Sequence, residues 1–571
     1  MSKLSVEQIK TRSKFLAGTI AEELDNDEPS FDADTQQIIK FHGIYQQDDR
    51  DVRKERLRAG LDKDYRCMVR ASLPGGTISA AQYLVMDELS DRVGNGTLRI
   101  TTRQGIQYHF TRKGDVRELI RTLNEHLLTT LAGCGDVVRN VMACPAPTPE
   151  RESAQLVADA KEIARQVKPQ SDAYWQLWLD GEKAVSAVAP DEEATADDPE
   201  PMLGPTYLPR KFKIGFAWPG DNCVDVFTQD IGIVPHVTDG VVEAYTLVVG
   251  GGMGMTHNKA STYPRLADPL CSVTREELLQ VVKAIITVQR DYGDREDRKF
   301  ARMKYLVANW GVERFRAEVE SRIGRTLAAP RELDWSQTTD HLGWQPQADG
   351  RFTLGVRVAN GRIVDSGQVR MRSALRAVAE HHASEVRFTP NQDVLLVGIA
   401  ADDHDAVEAL LREHGVRSVE ELPLVARHAL ACPALPTCGL ALAEAERVAP
   451  AFIDDVQSRL EAAGLGEESV HLRITGCPNG CARPYATEIG FVGRGSDRYT
   501  IYLGGSREGT RINAEFADRV PGGELGKRLE PVFEAYRGER RDADETFGDW
   551  CHRHGVEALA ERFTPVPVEV G

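Results

Sequence analysis

Four cysteines in the last third of the sequence have a spacing that suits an iron–sulfur cluster. They form two close pairs, Cys432-x5-Cys438 and Cys477-x3-Cys481, with 38 residues between the pairs. A cubane [4Fe–4S] cluster takes one thiolate on each iron, and glycine turns let the backbone approach its inorganic sulfide. Glycine and proline surround both pairs. The quartet therefore predicts a [4Fe–4S] cluster.

Two other interpretations of the quartet stay open at this point. Structural zinc is usually held by cysteine pairs that are about two to four residues apart, which fits the second pair but not the first. The four could also be buried thiols that pack as small apolar side chains. The remaining cysteines are scattered, and we expect most of them to be packing residues or surface thiols: Cys67, Cys134, Cys144, Cys223, Cys271 and Cys551.

Basic and polar side chains of the first half form short clusters that could bind an anion. Arginine binds oxyanions with two parallel hydrogen bonds and stays charged, and lysine can also donate a proton. Residues 98–110 are predicted as one strand, on which alternation would place Arg99, Thr101 and Arg103 on a single face. For any one of these clusters, exposed basic residues on a solvated strand are the better explanation. The clustered residues are Arg70, Arg99, Thr101, Thr102, Arg103, Gln107, Arg139, Arg210, Lys211 and Lys213.

Composition and charge exclude some classes of protein. The chain of 571 residues has a net charge of −17, which argues against a general nucleic-acid binder. No apolar run reaches the roughly 18 residues of a membrane span, and the charged N-terminus lacks a signal-peptide core. We therefore expect a cytoplasmic protein with no membrane partner.

The sequence contains a faint internal repeat with an offset of 288 residues. Residues 98–106 match 386–394 at this offset, and residues 139–146 match 427–434. Each half shows the order strand, helix, strand, helix. This order favours an α+β fold of two repeated halves of mixed α/β units over one doubly wound sheet.

The two cysteine motifs, residues 432–438 (CPALPTC) and 475–481 (TGCPNGC), resemble those of the sulfite and nitrite reductase haemoproteins. The resemblance extends from residues 41–48 (FHGIYQQD) to 547–549 (FGD). It implies one sirohaem beside one [4Fe–4S] cluster, at a site shared by the two halves. It also implies that the cluster ligands are Cys432, Cys438, Cys477 and Cys481, and that Cys481 ligates the sirohaem iron as well.

The same resemblance implies roles for the basic clusters. Residues on the substrate-binding face of the sirohaem would be Arg70, Arg139, Lys211 and Lys213. Contacts to the sirohaem itself, mainly its carboxylates, would come from Arg99, Thr101, Thr102, Arg103, Gln107, His109 and Arg210.

The resemblance further implies five parts along the chain. They are an N-terminal arm (1–60), a first ferredoxin-like half-domain (61–150), a first sirohaem-binding domain (151–335), a second ferredoxin-like half-domain (345–418) and an Fe–S/sirohaem-binding domain (419–571).

The expected activity is that of an assimilatory sulfite reductase, the six-electron reduction of sulfite to sulfide. Nitrite reduction to ammonia on the same scaffold is the alternative. A non-catalytic Fe–S electron carrier is disfavoured by the basic clusters and by the length of the chain. Residues 250–254 lack the third glycine of a dinucleotide fingerprint, so electrons should come from another protein. Residues 134–142, 219–222 and 549–553 resemble the ferredoxin-dependent members of the family, which implies ferredoxin as that donor; the alternative is an NADPH-dependent flavoprotein subunit.

Overall fold

The computed structural model describes residues 4–147, 149–170, 173–174, 176–179, 182–186 and 200–563. These residues form an α+β fold in which mixed α/β units occur twice. Within them lie four five-stranded sheets: two antiparallel sheets, called here the paired sheets, and two of mixed strand direction, called the mixed sheets.

Each paired sheet takes one of its five strands from the other half of the chain. The first contains, in spatial order, Ile44–Asp48, Tyr65–Ala71, Ile106–Thr111, Leu98–Ile100 and Arg362–Ile363. The second contains Gly343–Pro346, Phe352–Val356, Val394–Ile399, Glu385–Phe388 and Thr77–Ser79. The last strand in each order is the exchanged one. Because of this exchange, residues of both halves pack into one hydrophobic core.

Two glutamines mark a two-fold relation between the halves. The Gln104 amide donates to the carbonyl of Phe388 over 2.9 Å, and the Gln392 amide donates to that of Ile100 over 3.3 Å. Gln104 and Gln392, like Ile100 and Phe388, are separated by the 288-residue offset of the sequence repeat. The repeat is therefore present in the structure as a reciprocal pair of contacts.

The segment predicted as one strand over 98–110 is two strands joined by a tight turn. Leu98–Ile100 ends before Thr101, whose hydroxyl accepts hydrogen bonds from the backbone N–H groups of Arg103 (3.2 Å) and Gly105 (3.0 Å). Such side-chain bonds to the local backbone compete with the strand ladder. The prediction that Arg99, Thr101 and Arg103 share one strand face was therefore wrong, because Arg103 lies on the turn.

The two mixed sheets have the same strand order and the same strand directions. The first contains Met142–Ala143, Ile214–Phe216, Ile231–Thr238, Val241–Val249 and Asp268–Thr274. The second contains Leu430–Ala431, Leu472–Thr475, Ile489–Gly495, Arg498–Leu503 and Ala514–Pro521. In both, the first three strands are parallel and the next two pairings are antiparallel. Each mixed sheet contributes to a hydrophobic core of its own.

Helices cover these sheets, and their starts follow ordinary capping rules. Ser79 precedes Ala80–Val93 and forms a capping box with Gln82, in which each side chain accepts the backbone N–H of the other. None of the described helices is both long enough and apolar enough to cross a bilayer. The α-helices of the first half are Val6–Arg12, Ile20–Leu24, Thr35–Ile38, Arg53–Arg58, Ala80–Val93, Val116–Glu125, Glu150–Gln166, Arg275–Tyr292, Met303–Trp310 and Val312–Ile323. Those of the second half are Met371–His381, His404–Glu413, Leu424–His428, Ala449–Ala462, Leu525–Glu539, Phe547–His554 and Val556–Phe563.

Three two-stranded sheets also occur among the described residues. They are Gly220–Asp221 with Trp335–Gln337, Asp365–Ser366 with Val369–Arg370, and Gln176–Leu179 with Glu182–Ser186. The first of them is parallel and joins the first mixed-sheet domain to the segment that leads into the second half.

Candidate functional site

The two cysteine pairs lie in loops that follow neighbouring strands of the second mixed sheet. Cys432 comes directly after Leu430–Ala431, and Cys477 comes two residues after Leu472–Thr475. These two strands are adjacent and parallel, so both loops leave the same edge of the sheet. The parallel pairing therefore brings together cysteines that are far apart in the sequence.

Gly476 joins the two loops. Its carbonyl accepts hydrogen bonds from the backbone N–H groups of Leu442 (2.8 Å) and Ala443 (3.0 Å). A Cβ on Gly476 would lie 2.5 Å from the carbonyl oxygen of Ala443, so a side chain does not fit there. The N–H of Gly476 donates to the sulfur of Cys432 over 3.3 Å. N–H donors of this kind stabilise thiolates that bind metal.

The arrangement of the four thiols suits a multi-iron cluster. Burial raises the pKa of Cys477 to about 12, and the charge of Cys481 adds to this effect. Thiols whose pKa is raised by burial and by a neighbouring thiolate release their protons when a metal binds. In the part of the chain that the structure describes, these four sulfurs do not all converge within 4.8 Å, as the ligands of a single ion would. The zinc interpretation is therefore disfavoured.

Arg50 of the N-terminal segment holds the loop of the first cysteine pair. Its guanidinium Nη1 donates to the carbonyls of Cys438 (3.0 Å) and Ala441 (2.7 Å), and its backbone N–H donates to that of Pro436 (3.3 Å). Sequence reasoning missed Arg50, since a contact that spans nearly 400 residues leaves no local pattern.

Three predicted anion-binding residues form one row across the first paired sheet. Arg70 lies opposite Gln107, and Gln107 lies opposite Arg99. The exchanged strand extends the row, because Arg362 lies opposite Arg99. Directly opposite residues of antiparallel strands project from the same face. The sheet therefore presents three guanidinium groups and an amide on one face, and Arg362 was missed from the sequence.

One end of this row is neutralised by Glu446, beside the first cysteine pair. Arg99 and Arg362 each donate from Nε to Glu446 over 2.7 Å. Burial would raise the pKa of Glu446, but these two charges outweigh it and lower that pKa. His109 Nδ1 lies 3.4 Å from Arg362, and burial with the nearby arginines lowers the pKa of His109 well below its usual value. Sirohaem contacts by Arg99 and His109 stay predictions.

The other end of the row has buried polar atoms with no partner among the described residues. They are Nε of Arg70, Oε1 of Gln107 and, on the neighbouring turn, Nε of Arg103. A buried polar group without a partner costs about 1–3 kcal/mol. The carboxylates of a sirohaem would accept hydrogen bonds from the Nε atoms of Arg70 and Arg103, whereas Oε1 of Gln107 is itself an acceptor and needs a donor. These residues therefore fit that cofactor.

A second group of cations surrounds the turn that carries Arg103. Burial and the charges of Arg210 and Arg302 lower the pKa of Lys211 to about 7. Burial and Arg103 lower the pKa of Lys213 well below its usual value. Burial and Arg139 likewise lower the pKa of Arg103 to about 9. Repulsion of this kind is relieved by a bound anion. The predicted members of the group are Arg103, Arg139, Arg210, Lys211 and Lys213.

Buried polar partners that sequence reasoning missed hold this second group. Arg103 donates to Oε1 of Gln229 over 2.7 Å. Asp230 pairs with Arg302 over 2.9 Å and accepts the backbone N–H of Lys213 over 2.9 Å. Gln229 and Asp230 follow one another just before the strand Ile231–Thr238, so the first mixed sheet positions both.

Arg70 and Arg139 are also held by contacts to Cys134, Gly135 and Tyr45. Arg70 Nη1 donates to the sulfur of Cys134 over 3.0 Å. Arg139 donates to the carbonyl of Gly135 over 2.8 Å and to the hydroxyl of Tyr45. Both arginines are half-buried, and these contacts position them.

The basic groups of the first half meet the cysteine loop of the second half at Thr102. The Thr102 hydroxyl donates to the carbonyl of Cys481 over 3.0 Å. Arg483 donates to the carbonyl of Thr102 over 3.0 Å, and Arg473 and Arg483 both pair with the buried Asp225. The site thus lies between the halves.

The glycine-rich residues 250–254 pack against the second cysteine pair. Met255 N–H donates to the carbonyl of Pro478 over 2.9 Å. Lys304, which sequence reasoning missed, donates to the carbonyls of Gly252 (3.1 Å) and Gly254 (2.8 Å). This loop therefore supports the cysteine loop.

Comparison with known proteins agrees with this geometry. The model described as "Nitrite and sulphite reductase 4Fe-4S domain" matches residues 134–327 and 426–566. The model described as "Nitrite/Sulfite reductase ferredoxin-like half domain" matches 58–126 and 345–414. Each model matches twice, as the repeat requires.

Several curated proteins are similar over most of their length. A "Sulfite reductase [ferredoxin]" of Synechococcus elongatus is 46% identical, over 97% of this chain and 90% of the relative. A "Sulfite reductase [NADPH] hemoprotein beta-component" of Myxococcus xanthus is 43% identical, over 96% of each chain. A protein of the same name from Geobacillus kaustophilus is 41% identical, over 96% of this chain and 95% of the relative. The solved structure of the Mycobacterium tuberculosis NirA protein has the same fold, with a TM-score of 0.76 and 24% identity over 98% of both chains. The chain therefore belongs to the nitrite and sulphite reductase family.

Proposed function

We propose that this chain is the catalytic subunit of an assimilatory sulfite reductase, which reduces sulfite to sulfide with six electrons. The observation that carries this proposal is the contact of the cysteine quartet with the basic groups, made where Thr102 binds the carbonyl of Cys481. Relatives named sulfite reductase, 41–46% identical, support sulfite as the substrate.

Two cofactors complete the site. Cys432, Cys438, Cys477 and Cys481 would hold the cluster, and Cys481 would also hold the sirohaem. The residues proposed to contact the sirohaem are Arg99, Thr101, Thr102, Arg103, Gln107, His109 and Arg210. When bound, these groups supply the electrons that reduce the sulfur of sulfite.

The chain's own residues bind the substrate and supply protons. Reduction of sulfite to sulfide uses six electrons and six protons, and its three oxygens leave as water. Arg70 and Arg139 keep their charge and hold the sulfite oxygens. Lys211 and Lys213 donate protons to those oxygens; burial and neighbouring arginines lower the pKa of Lys211 below its ordinary value, which favours proton transfer closer to neutral pH.

Substitution of the two lysines tests this assignment. Hydrogen bonds to charged groups are worth about 1.5–3 kcal/mol, so Lys211→Ala or Lys213→Ala should lower sulfite turnover roughly ten- to over a hundredfold. The haem spectrum should stay largely unchanged. Lys527→Ala, on an exposed helix face, is the control that keeps full activity. Full activity in both lysine variants would show that neither lysine binds the substrate. Faster turnover of nitrite than of sulfite would show that the function is nitrite reduction.

We also propose ferredoxin as the electron donor. Support comes from the Synechococcus relative, whose name includes ferredoxin and whose identity of 46% exceeds the 41% and 43% of the two NADPH-linked relatives. An NADPH-dependent flavoprotein subunit is the alternative donor.

A further inference from the structure

Four buried side chains converge at a place that is separate from the cysteine quartet. They belong to the first mixed-sheet domain and to the segment that leads into the second half: Cys144, Asp221, Cys223 and His341. Their ligand atoms all lie within 4.8 Å of one another. Each of the four residues is at most 4% exposed. The proposed reduction of sulfite uses none of them.

The spacing of these atoms suits a single tetrahedral ion. The Cys144 sulfur lies 3.5 Å from the Cys223 sulfur and 4.0 Å from His341 Nε2, which in turn lies 3.8 Å from Asp221 Oδ2. Around zinc, with bonds of about 2.3 Å to sulfur and about 2.0 Å to nitrogen or oxygen, neighbouring ligand atoms are about 3.3–3.8 Å apart. Small shifts of the side chains would bring all four ligand atoms within bonding distance of one ion.

The backbone holds two of the ligands in place. Asp221 Oδ1 accepts hydrogen bonds from the backbone N–H groups of Cys223 and Thr339, each over 3.0 Å. The other carboxylate oxygen, Oδ2, faces His341. His341 has a left-handed backbone, with φ of 60°. Gly355 leaves room for it, because a Cβ there would lie 1.9 Å from the carbonyl oxygen of His341. Such fixed orientation of ligands is typical of metal sites, and strained backbone often marks functional positions.

We propose that Cys144, Cys223, His341 and Asp221 bind one divalent cation of the zinc type. Two thiolates, an imidazole and a carboxylate make a complete tetrahedral set with no open position, which is typical of structural zinc. Metal binding would release the protons of the two thiols, and the cation would then balance the buried thiolates and the carboxylate of Asp221. The ion is therefore structural, and its role does not depend on the proposed reduction of sulfite.

The ion would cross-link the first half of the chain to the segment that leads into the second half. Cys144 follows the strand Met142–Ala143, whereas His341 lies in the segment just before Gly343–Pro346. Cys144 is also the repeat equivalent of Cys432, one of the proposed cluster ligands. In the first half this cysteine has different neighbours, so the same position would serve a different metal.

Metal analysis of the purified holoenzyme, produced in zinc-supplemented medium and dialysed against a weak chelator, tests the proposal. We expect about one zinc per chain in addition to the iron, and X-ray absorption at the zinc edge should show two sulfur ligands at about 2.3 Å and two nitrogen or oxygen ligands at about 2.0 Å. Cys223→Ser and His341→Gln should lose the zinc while iron and acid-labile sulfide stay unchanged. Cys271→Ser, which removes another buried cysteine of this domain, is the matched control and should keep the zinc.

Three results would overturn the proposal. They are wild-type holoenzyme without a divalent cation beyond its iron, zinc that persists at full content in Cys223→Ser, and a Cys144–Cys223 disulfide in the mass spectrum of non-reduced protein. The absorption and mass spectra use wild-type protein, so they decide the question even if a variant fails to fold. Loss of sulfite reduction with retention of zinc would affect only the proposed function.

Discussion

The low pKa of Lys211 predicts a particular dependence of sulfite binding on pH. Burial, with the charges of Arg210 and Arg302, lowers this pKa from 10.5 to about 7 in the cofactor-free chain. The ammonium is therefore present below the pKa and is lost as pH rises through it. Bound sirohaem carboxylates would raise this pKa, so the loss should begin above about pH 7. Bound sulfite favours the ammonium further, so kcat/KM should fall by up to about tenfold per pH unit over that range.

Lys211→Arg isolates this effect. Arginine keeps its charge throughout this range, so the variant should lack the part of the decline that comes from Lys211. Protonation of sulfite itself affects both proteins equally and cancels in their ratio. The assay is kcat/KM for sulfite from about pH 6 to 10 with reduced methyl viologen as the electron source. Parallel profiles for wild type and Lys211→Arg would refute the assignment of this titration to Lys211.

The remaining predictions concern the cofactors and the donor. Cys438→Ser and Cys477→Ser should lose the cluster, whereas Cys144→Ser should keep it; iron and acid-labile sulfide analysis checks this, and the reverse pattern would contradict the ligand assignment. Arg103→Ala should lower sirohaem occupancy, measured from the haem absorbance per chain; unchanged occupancy would remove Arg103 from the sirohaem site. Turnover with ferredoxin should fall as salt rises, since exposed charges are screened over about 8 Å at physiological ionic strength, whereas turnover with methyl viologen should change far less. Flat ferredoxin kinetics, or turnover only with a flavoprotein subunit, would favour the NADPH-linked donor.

Local patterns in the sequence predicted much of this structure. The first helix expected in the first half is observed as Ala80–Val93, and Ser79 and Gln82 form a capping box at its start. The α+β class and the repeated halves also agree with the family matches. These features depend on residues that are close in the sequence, or on repeated motifs, which a single sequence contains.

Features that depend on distant contacts could not be predicted. The exchanged strand Arg362–Ile363 has two residues, too few for alternation to show, and yet it adds Arg362 to the basic row. The contact of Arg50 with the cysteine loop likewise has no local pattern. The turn after Ile100 did carry a signal, Gln104-Gly105, but the alternating residues before it favoured a continuous strand.

Arg483 shows how the repeat positions a site that belongs to both halves. It lies two residues after Cys481 and donates to the carbonyls of Thr102 (3.0 Å) and Pro390 (3.3 Å). Residues 102 and 390 are separated by the 288-residue offset, so one guanidinium contacts equivalent atoms of both turns. A side chain on a pseudo-two-fold axis can do this only if the two turns keep the same shape. The conserved turn geometry, set by Thr101 in the first half and by its equivalent in the second, therefore fixes the loop of Cys481. The next residue is Arg103 in the first turn and Asn391 in the second, so the first half supplies most of the anion-binding side chains while the second supplies the thiolates.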